Sequence, residues 1–260
     1  MLLFVYNESV IQKFILKENI IMKRILSLIL VAVLAFACFS CGNTDDPAKK
    51  SEGVMTYAEY EAAAIDSEVT IEAYVQAKQG YWEKDGQGLA TIYAQDLDGA
   101  YFIYDLNVTK EDYDKMVTGT KIKVKGYKAT WAGEIEIIDA TYEILDGSYI
   151  AEAKDVTALL GTDDLIKNQN MFVSFKGMTV ESTYLYKWDG SGQEGDDLYF
   201  NVSVNGNTYT FTVESYLCGA DTDVYKAVKE LKVGDKIDLE GFCYWYEGVN
   251  PHITAVKVVD

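Results

Sequence analysis

A chain of 260 residues with 49% hydrophobic content can bury a core and hold two small domains. Its 23 Lys and Arg face 41 Asp and Glu, and residues 1–40 hold four of the bases and two of the acids, so the remainder stands at net −20. That remainder has no arginine, because Arg24 is the only one in the chain. Such a body repels phosphate backbones and lacks the guanidinium fork that reads guanine edges, which argues against nucleic acid as a partner.

Residues 1–21 form a mixed apolar and charged extension ahead of Met22. Lys17-Glu18 can be encoded by purine-rich codons, which resembles a ribosome-binding site translated in frame and places the start at Met22. Residues 22–40 then read as a secretory signal: Met-Lys-Arg, an apolar run, and small residues at the end. The run is too short for a transmembrane helix. Its end resembles the lipobox of bacterial lipoproteins. The resemblance implies a lipid on Cys41, between Ser40 and Gly42, and a place on the outer side of the bacterial cytoplasmic membrane. Cys38 stands where the motif usually has leucine, and it is itself the competing lipid site. Residues 41–66 read as a polar tether and a short helix capped by Thr56, with Glu59 in a capping box.

Residues 67–147 form the first domain. Val69, Ile71, Ala73 and Val75 alternate with polar neighbours, the period of a half-buried strand. Strands over 89–95 and 100–107 follow, joined at Asp98-Gly99. Thr109 opens a helix with Tyr113, Met116 and Val117 on one face. The strand at 119–128 begins Gly119-Thr120-Lys121-Ile122-Lys123-Val124-Lys125-Gly126-Tyr127. Trp131-Ala132-Gly133 turns the chain into a last strand over 134–145.

Residues 148–170 read as a helical connector broken at Gly161, and 171–260 as a second domain. A long strand spans 171–186 with a break at Gly177. A turn-rich loop fills 188–197. Strands over 198–204 and 208–213 pair across Asn205-Gly206, and a helix over 221–231 carries Val224, Ala227, Val228 and Leu231 on one stripe. Gly234-Asp235-Lys236-Ile237-Asp238-Leu239-Glu240-Gly241-Phe242 then repeats the strand of the first domain at an offset of 115 residues. A repeat of this length means two copies of one module. The closing glycine predicts a bulge where a sheet curls.

Three strands, a helix and two strands, made twice, resemble the OB-fold. The chain is thus expected to be mainly β: two tandem OB-like five-stranded Greek-key barrels, each with one helix between its third and fourth strands, after a signal peptide.

Chemistry is sparse. His252 is the only histidine, and no catalytic motif surrounds it. Cys218 and Cys243 remain after export and form a possible disulfide. The loop 189–197 concentrates oxygen ligands without EF-hand spacing, so calcium is a minor possibility beside a solvated turn. Aromatic residues are the better lead, with 20 Tyr, 10 Phe and 4 Trp. Tyr127 and Trp131 follow the first repeated strand, and Tyr244, Trp245 and Tyr246 the second. In OB-like barrels ligands sit on the strand face and flanking loops, so these five are the candidate ligand-binding residues. The other reading has them plugging a barrel end. The resulting expectation is a non-enzymatic, lipid-anchored binding protein with no cofactor, for a glycan, a small molecule or an envelope protein. An accessory enzyme subunit or a calcium-dependent hydrolase are the alternatives.

Overall fold

The computed structural model describes residues 46–259. The upstream extension, the signal, and both Cys38 and Cys41 lie outside the described residues.

Thr56 caps α1 (Tyr57–Ala62) and completes the expected capping box with Glu59. The first barrel follows: β1 (Glu68–Lys78), β2 (Trp82–Lys84), β3 (Gln87–Gln95), β4 (Ala100–Asn107), α2 (Lys110–Lys115), β5 (Thr120–Trp131) and β6 (Glu134–Ser148). The strands hydrogen-bond in the order β1-β5-β6-β4-β3-β2, and β1 also pairs with β3, which closes five of them into a barrel. The period-two residues point inward. Val69, Ile71, Ala73 and Val75 meet Ile92, Ile103, Ile122 and Val124 in one core. Asp85-Gly86 and Ala132-Gly133 take positive φ at both central residues of their hairpins, the geometry that matches strand twist.

A connector with β7 (Lys154–Asp155) and two 3-10 turns (Thr157–Leu159 and Asp163–Asn168) leads to the second barrel. This comprises β8 (Phe172–Val180), β9 (Leu185–Tyr186), β10 (Leu198–Val204), β11 (Asn207–Val213), α3 (Asp223–Glu230), β12 (Lys236–Phe242) and β13 (His252–Val259). Its order is β7-β8-β12-β13-β11-β10-β9, closed by β8–β10. Both barrels are therefore built as expected, with the helix between the third and fourth barrel strands. The parallel closure even falls at equivalent positions: Ile137 pairs with Ile103, and His252, 115 residues later, pairs with Thr212.

The repeated glycines sit at bulges. The β5–β6 register shifts between Lys125 and Tyr127, and the β12–β13 register between Glu240 and Gly241. A Cβ at Gly126 would lie 2.7 Å from the Ile138 carbonyl oxygen, and one at Gly241 only 2.1 Å from that of His252. Close approach of the next strand, not an unusual φ, demands glycine here.

Four local expectations change. The strand expected over 171–186 passes Gly177 (φ +61°) and ends at Val180, with β9 a separate two-residue strand. Helix α2 is too short to carry a stripe: Met116 just beyond it is buried, but Val117 is exposed. In α3, Tyr225 rather than Ala227 joins Val224 and Val228 in the core. The tether is docked from Lys50 onward. The Lys50 ammonium donates to the Asp96 carboxylate at 2.5 Å and to the Glu72 carbonyl at 2.6 Å. Asp96 is buried, and a buried carboxylate needs such a partner.

Candidate functional site

The described residues form one compact unit, and the two barrels meet along an aromatic seam. The outward face of β3 and β4 in the first barrel carries Thr91, Tyr93, Gln95 and Phe102, all buried. The second barrel covers Tyr93, Gln95 and Phe102. Tyr93 stacks on Phe242 with ring centres 4.3 Å apart, and Phe102 meets Tyr244 at 5.3 Å. The Tyr93 hydroxyl bonds His252 Nδ1 at 2.8 Å. The Phe172 amide donates to Gln95 Oε1 at 2.8 Å. Burial alone holds the His252 imidazole down to about 3, so it stays neutral in the seam. It is enclosed there and is not a base available to a substrate. The rings stabilise the seam by roughly 2 kcal/mol each through area removed from water.

The corresponding face of the second barrel, on β10 and β11, is open. It presents Tyr199, Asn201 and Ser203 together with Thr210 and Thr208, while Thr212, paired with Tyr199, is buried. Leu185 of β9 pairs with Tyr199, so Leu185, Tyr199 and Thr212 lie in one cross-strand row. The Thr210 hydroxyl donates to Asn201 Oδ1 at 2.8 Å, and the Thr212 hydroxyl to Asn250 Oδ1 at 2.7 Å. Alternation in these two strands sends large apolar side chains inward and hydroxyl and amide groups outward.

At the border of this face the two barrels contribute one ring each. Trp131 ends β5, and Tyr246 lies 115 residues later in the β12–β13 loop, at the equivalent position. Their ring centres are 5.2 Å apart at a tilt of 47°. Trp131 is 56% exposed and Tyr246 46%. Their neighbours bond directly, the Glu247 amide donating to the Ala132 carbonyl at 2.6 Å. Tyr199, half-buried on the β10–β11 face, feels the Tyr246 phenol. Its phenol is raised first by burial, then by the Asp197 and Glu214 carboxylates, and the Tyr246 phenol adds to the same shift. An exposed pair of flat rings near hydroxyl and amide groups can stack on a planar ligand and hydrogen-bond its edge.

The five aromatic candidates separate. Trp131 and Tyr246 come together on the surface. Tyr244 is buried against His252, ring centres 4.2 Å apart. Trp245 is half-buried against the second core. Tyr127 is exposed elsewhere on the outer side of β5. Tyr244 and Trp245 therefore pack inward, while Trp131, Tyr246 and Tyr127 reach solvent. Tyr199, Asn201, Thr210 and Thr212 were not among the candidates. The signal lay in the polar members of the period-two pattern, Tyr-x-Asn-x-Ser and Thr-x-Thr-x-Thr.

Cys218 and Cys243 are buried free thiols, both pushed up to about 12, by burial first and then by nearby carboxylates. They are poor nucleophiles in that state. In the acidic loop the carboxylates serve the turn itself. Asp189 accepts from the Ser191 amide at 3.0 Å, Asp196 from the Gln193 amide at 2.9 Å, and Asp197 from the Ser215 amide at 2.8 Å. Among the described residues no group of three or more acidic, histidine or cysteine side chains is placed to hold a metal. A polar cleft of about 830 Å³ opens in the first barrel, where β4 and β6 part, lined by Lys84, Asp105, Asn107 and Asp139. Tyr142 is its one aromatic lining residue, and neither Trp131 nor Tyr246 borders it.

No protein-family model matches the chain, and no curated protein matches it in sequence. Solved structures do resemble it. A murine DNA-binding protein bound with double-stranded DNA aligns at 12% identity over 74% of this chain and 95% of its own, TM-score 0.36. The Ifi202 HINa domain in complex with 20-base-pair double-stranded DNA aligns at 12% identity over 74% and 98%, TM-score 0.34. A Replication Protein A heterotrimer bound to single-stranded DNA aligns at 13% identity over 79% and 52%, TM-score 0.32. These matches correct two expectations from sequence. The glycan, small-molecule or envelope-protein ligand, with its enzymatic alternatives, and the exclusion of nucleic acid both stand against neighbours that bind DNA. At such identities the likeness is one of fold and assigns no residue.

Proposed function

We propose that this chain is a non-catalytic binding protein that takes single-stranded nucleic acid along the row Trp131–Tyr246–Tyr199, with base edges at Asn201, Thr210 and Asn250. One observation carries the reading: Trp131 and Tyr246, one from each barrel, form an exposed ring pair, and the Tyr246 phenol is near enough to act on Tyr199 of the β10–β11 face. Unstacked bases bind such faces by stacking, worth roughly 1–3 kcal/mol per base. Asp197, Glu214 and Glu247 flank the row and the chain is at net −18, so phosphates contribute repulsion rather than affinity. Three stacked bases sum to roughly 3–9 kcal/mol, which corresponds to a dissociation constant of roughly micromolar to millimolar. Salt then acts in reverse of its usual sense. Screening weakens the repulsion, and binding holds or tightens as salt rises.

Intrinsic fluorescence titration with an oligothymidylate dodecamer tests this at low and moderate salt. Saturable quenching that does not weaken with salt is expected. Trp131→Ala and Tyr246→Ala should each weaken binding by roughly 5-fold to 100-fold. Undetectable binding at millimolar protein, or unchanged affinity in both variants, would refute the reading. Affinity that falls steeply with salt would place the ligand on lysines elsewhere.

Residues 22–43 supply the address that goes with this proposal: export, and a lipid on Cys41. Intact mass of the mature protein from native membranes tests it. A chain beginning at Cys41 with a diacylglyceryl group is expected, a start at Cys38 would move the anchor three residues upstream, and an unmodified amino terminus would refute it.

A further inference from the structure

Trp131 and Tyr246 belong to different barrels, so their alignment needs something to fix one hairpin against the other. The candidate is the first residue of β6. Glu134 is fully buried, three residues from Trp131, and its carboxyl takes three N–H donors from the second half of the chain. Asn170 Nδ2 donates at 2.5 Å, the Trp245 amide at 2.9 Å and Gln169 Nε2 at 3.3 Å. The same side chains also grip the hairpin backbone. Gln169 Nε2 reaches the Gly133 carbonyl at 2.9 Å, and Asn170 Nδ2 the Ile135 carbonyl at 3.2 Å. Trp245 lies against Gly133 as well: a Cβ there would come within 3.0 Å of its ring.

Burying a carboxyl is costly, and an apolar residue would seal this seam more strongly. What the carboxyl provides is direction, because three donors in fixed positions allow the hairpin tip one placement. We infer that Glu134 is the positioning residue of the composite face, clamping the 131–134 hairpin onto Trp245, Asn170 and Gln169 so that Trp131 stands beside Tyr246. The inference rests on the binding reading above for its purpose, but the clamp has its own observable.

Among the described residues no cation acts on the Glu134 carboxyl. The groups felt across it are the Glu136 carboxylate, the phenols of Tyr57, Tyr60, Tyr93 and Tyr244, and the Cys243 thiol. Burial is the first cause that pushes the Glu134 carboxyl up to about 8, against the pull of its three donors. Opening the seam returns the group to water and to its ordinary 4.5. The closed seam therefore holds a proton that the open seam releases, and closure weakens as pH rises through that range.

The test is amide exchange of Trp245 in the full chain, near pH 6 and near pH 9, corrected for intrinsic exchange and referred to the core amide of Val124. Wild-type Trp245 should exchange faster at the higher pH by about ten-fold or more, and Glu134→Gln, which keeps an acceptor but cannot ionise, should abolish that difference. Oligothymidylate titrated in parallel should bind Glu134→Ala about ten-fold more weakly and Glu134→Gln within about two-fold of wild type. Glu214 is present in every variant, so its own ionisation cancels from the comparison. Identical exchange profiles in wild type and Glu134→Gln overturn the clamp. Equal loss of binding in both substitutions overturns it too. Should the alanine variant not fold, the Glu134→Gln profile decides alone. Wild type that shows the pH-dependent exchange yet binds no oligothymidylate upholds the clamp and refutes the ligand.

Discussion

Replacing Gly241 by alanine tests the physical basis of the repeat. The added Cβ would lie 2.1 Å from the His252 carbonyl oxygen, 2.7 Å from Ile253 Cα and 2.9 Å from the His252 carbonyl carbon. A carbon and an oxygen normally approach to about 3.3 Å, so the strands must part by roughly 1 Å. Everything crowded is backbone and cannot rotate away. The pairs Gly241↔Ile253 and Phe242↔His252 would loosen, and with them the Phe242–Tyr93 stack and the Tyr93–His252 bond. Overpacking costs about 1–3 kcal/mol and each loosened bond about 1 more, while alanine recovers about 0.5 from the unfolded chain. The sum is about 4 kcal/mol, a fall in Tm of roughly 8–16 °C. At Gly126 the nearest contact is 2.7 Å, to the Ile138 carbonyl oxygen, and alanine there should cost about 2 kcal/mol. At Gly80 the nearest atom is 3.9 Å away, and alanine should cost about 0.5 kcal/mol or less. Urea unfolding followed by fluorescence and circular dichroism measures all three. A cost below about 1 kcal/mol at Gly241, or a cost no greater than at Gly126, would refute the close-approach argument.

The seam should also make stability depend on pH. Burial, the first cause for both, raises Glu134 to about 8 and Glu214 to about 7, so their contribution is whole below about 4.5 and is lost as pH rises through those values. His252 is depressed to about 3, and its contribution is whole above about 6.5 and is lost as pH falls through 3. Calorimetric Tm should therefore peak between about pH 4.5 and 6.5 and decline toward pH 9, and a Tm that rises from pH 5 to 8 would contradict this. Tyr93→Phe leaves His252 Nδ1 without its 2.8 Å partner in a buried seam. It should cost about 1–3 kcal/mol in urea unfolding. Lys50→Met removes the ammonium from buried Asp96, which keeps the Tyr101 hydroxyl at 2.9 Å and the Gly99 amide at 2.8 Å. Loss of about 3 kcal/mol is expected, and a neutral result would mean that the docked tether adds nothing to the first barrel.

Much of this architecture is written locally. Period-two alternation in 69–75 identified an inward face, because a strand fixes side-chain direction residue by residue. Thr56 with Glu59, Asn205-Gly206 and the two repeat glycines marked a cap, a hairpin and two bulges, since each answers to chemistry within a few residues or across one strand pair. Element ends were less legible. The strand placed over 171–186 ends at Val180 because the chain then leaves β12, which no local pattern records.

The site shows the same division. Trp131 and Tyr246 were readable as candidates from the repeat offset. Tyr244, Trp245 and Tyr246 are consecutive, and nothing in three adjacent aromatics says which one enters the seam, which packs on the core and which meets solvent. Tyr93 and Tyr199 occupy comparable outward positions on comparable strands, but one is buried under the other barrel and one is half-open.

The amino-acid sequence alone determined the barrels, their duplication and the glycines that let them close, since these depend on alternation and on contacts between neighbouring strands. Only the packing of one barrel on the other decided which strand face stays open, which aromatic pair borders it, and why a carboxyl is buried at Glu134. Those outcomes depend on surfaces more than a hundred residues apart in the chain, and a strand's pattern names its two faces without naming what will cover them.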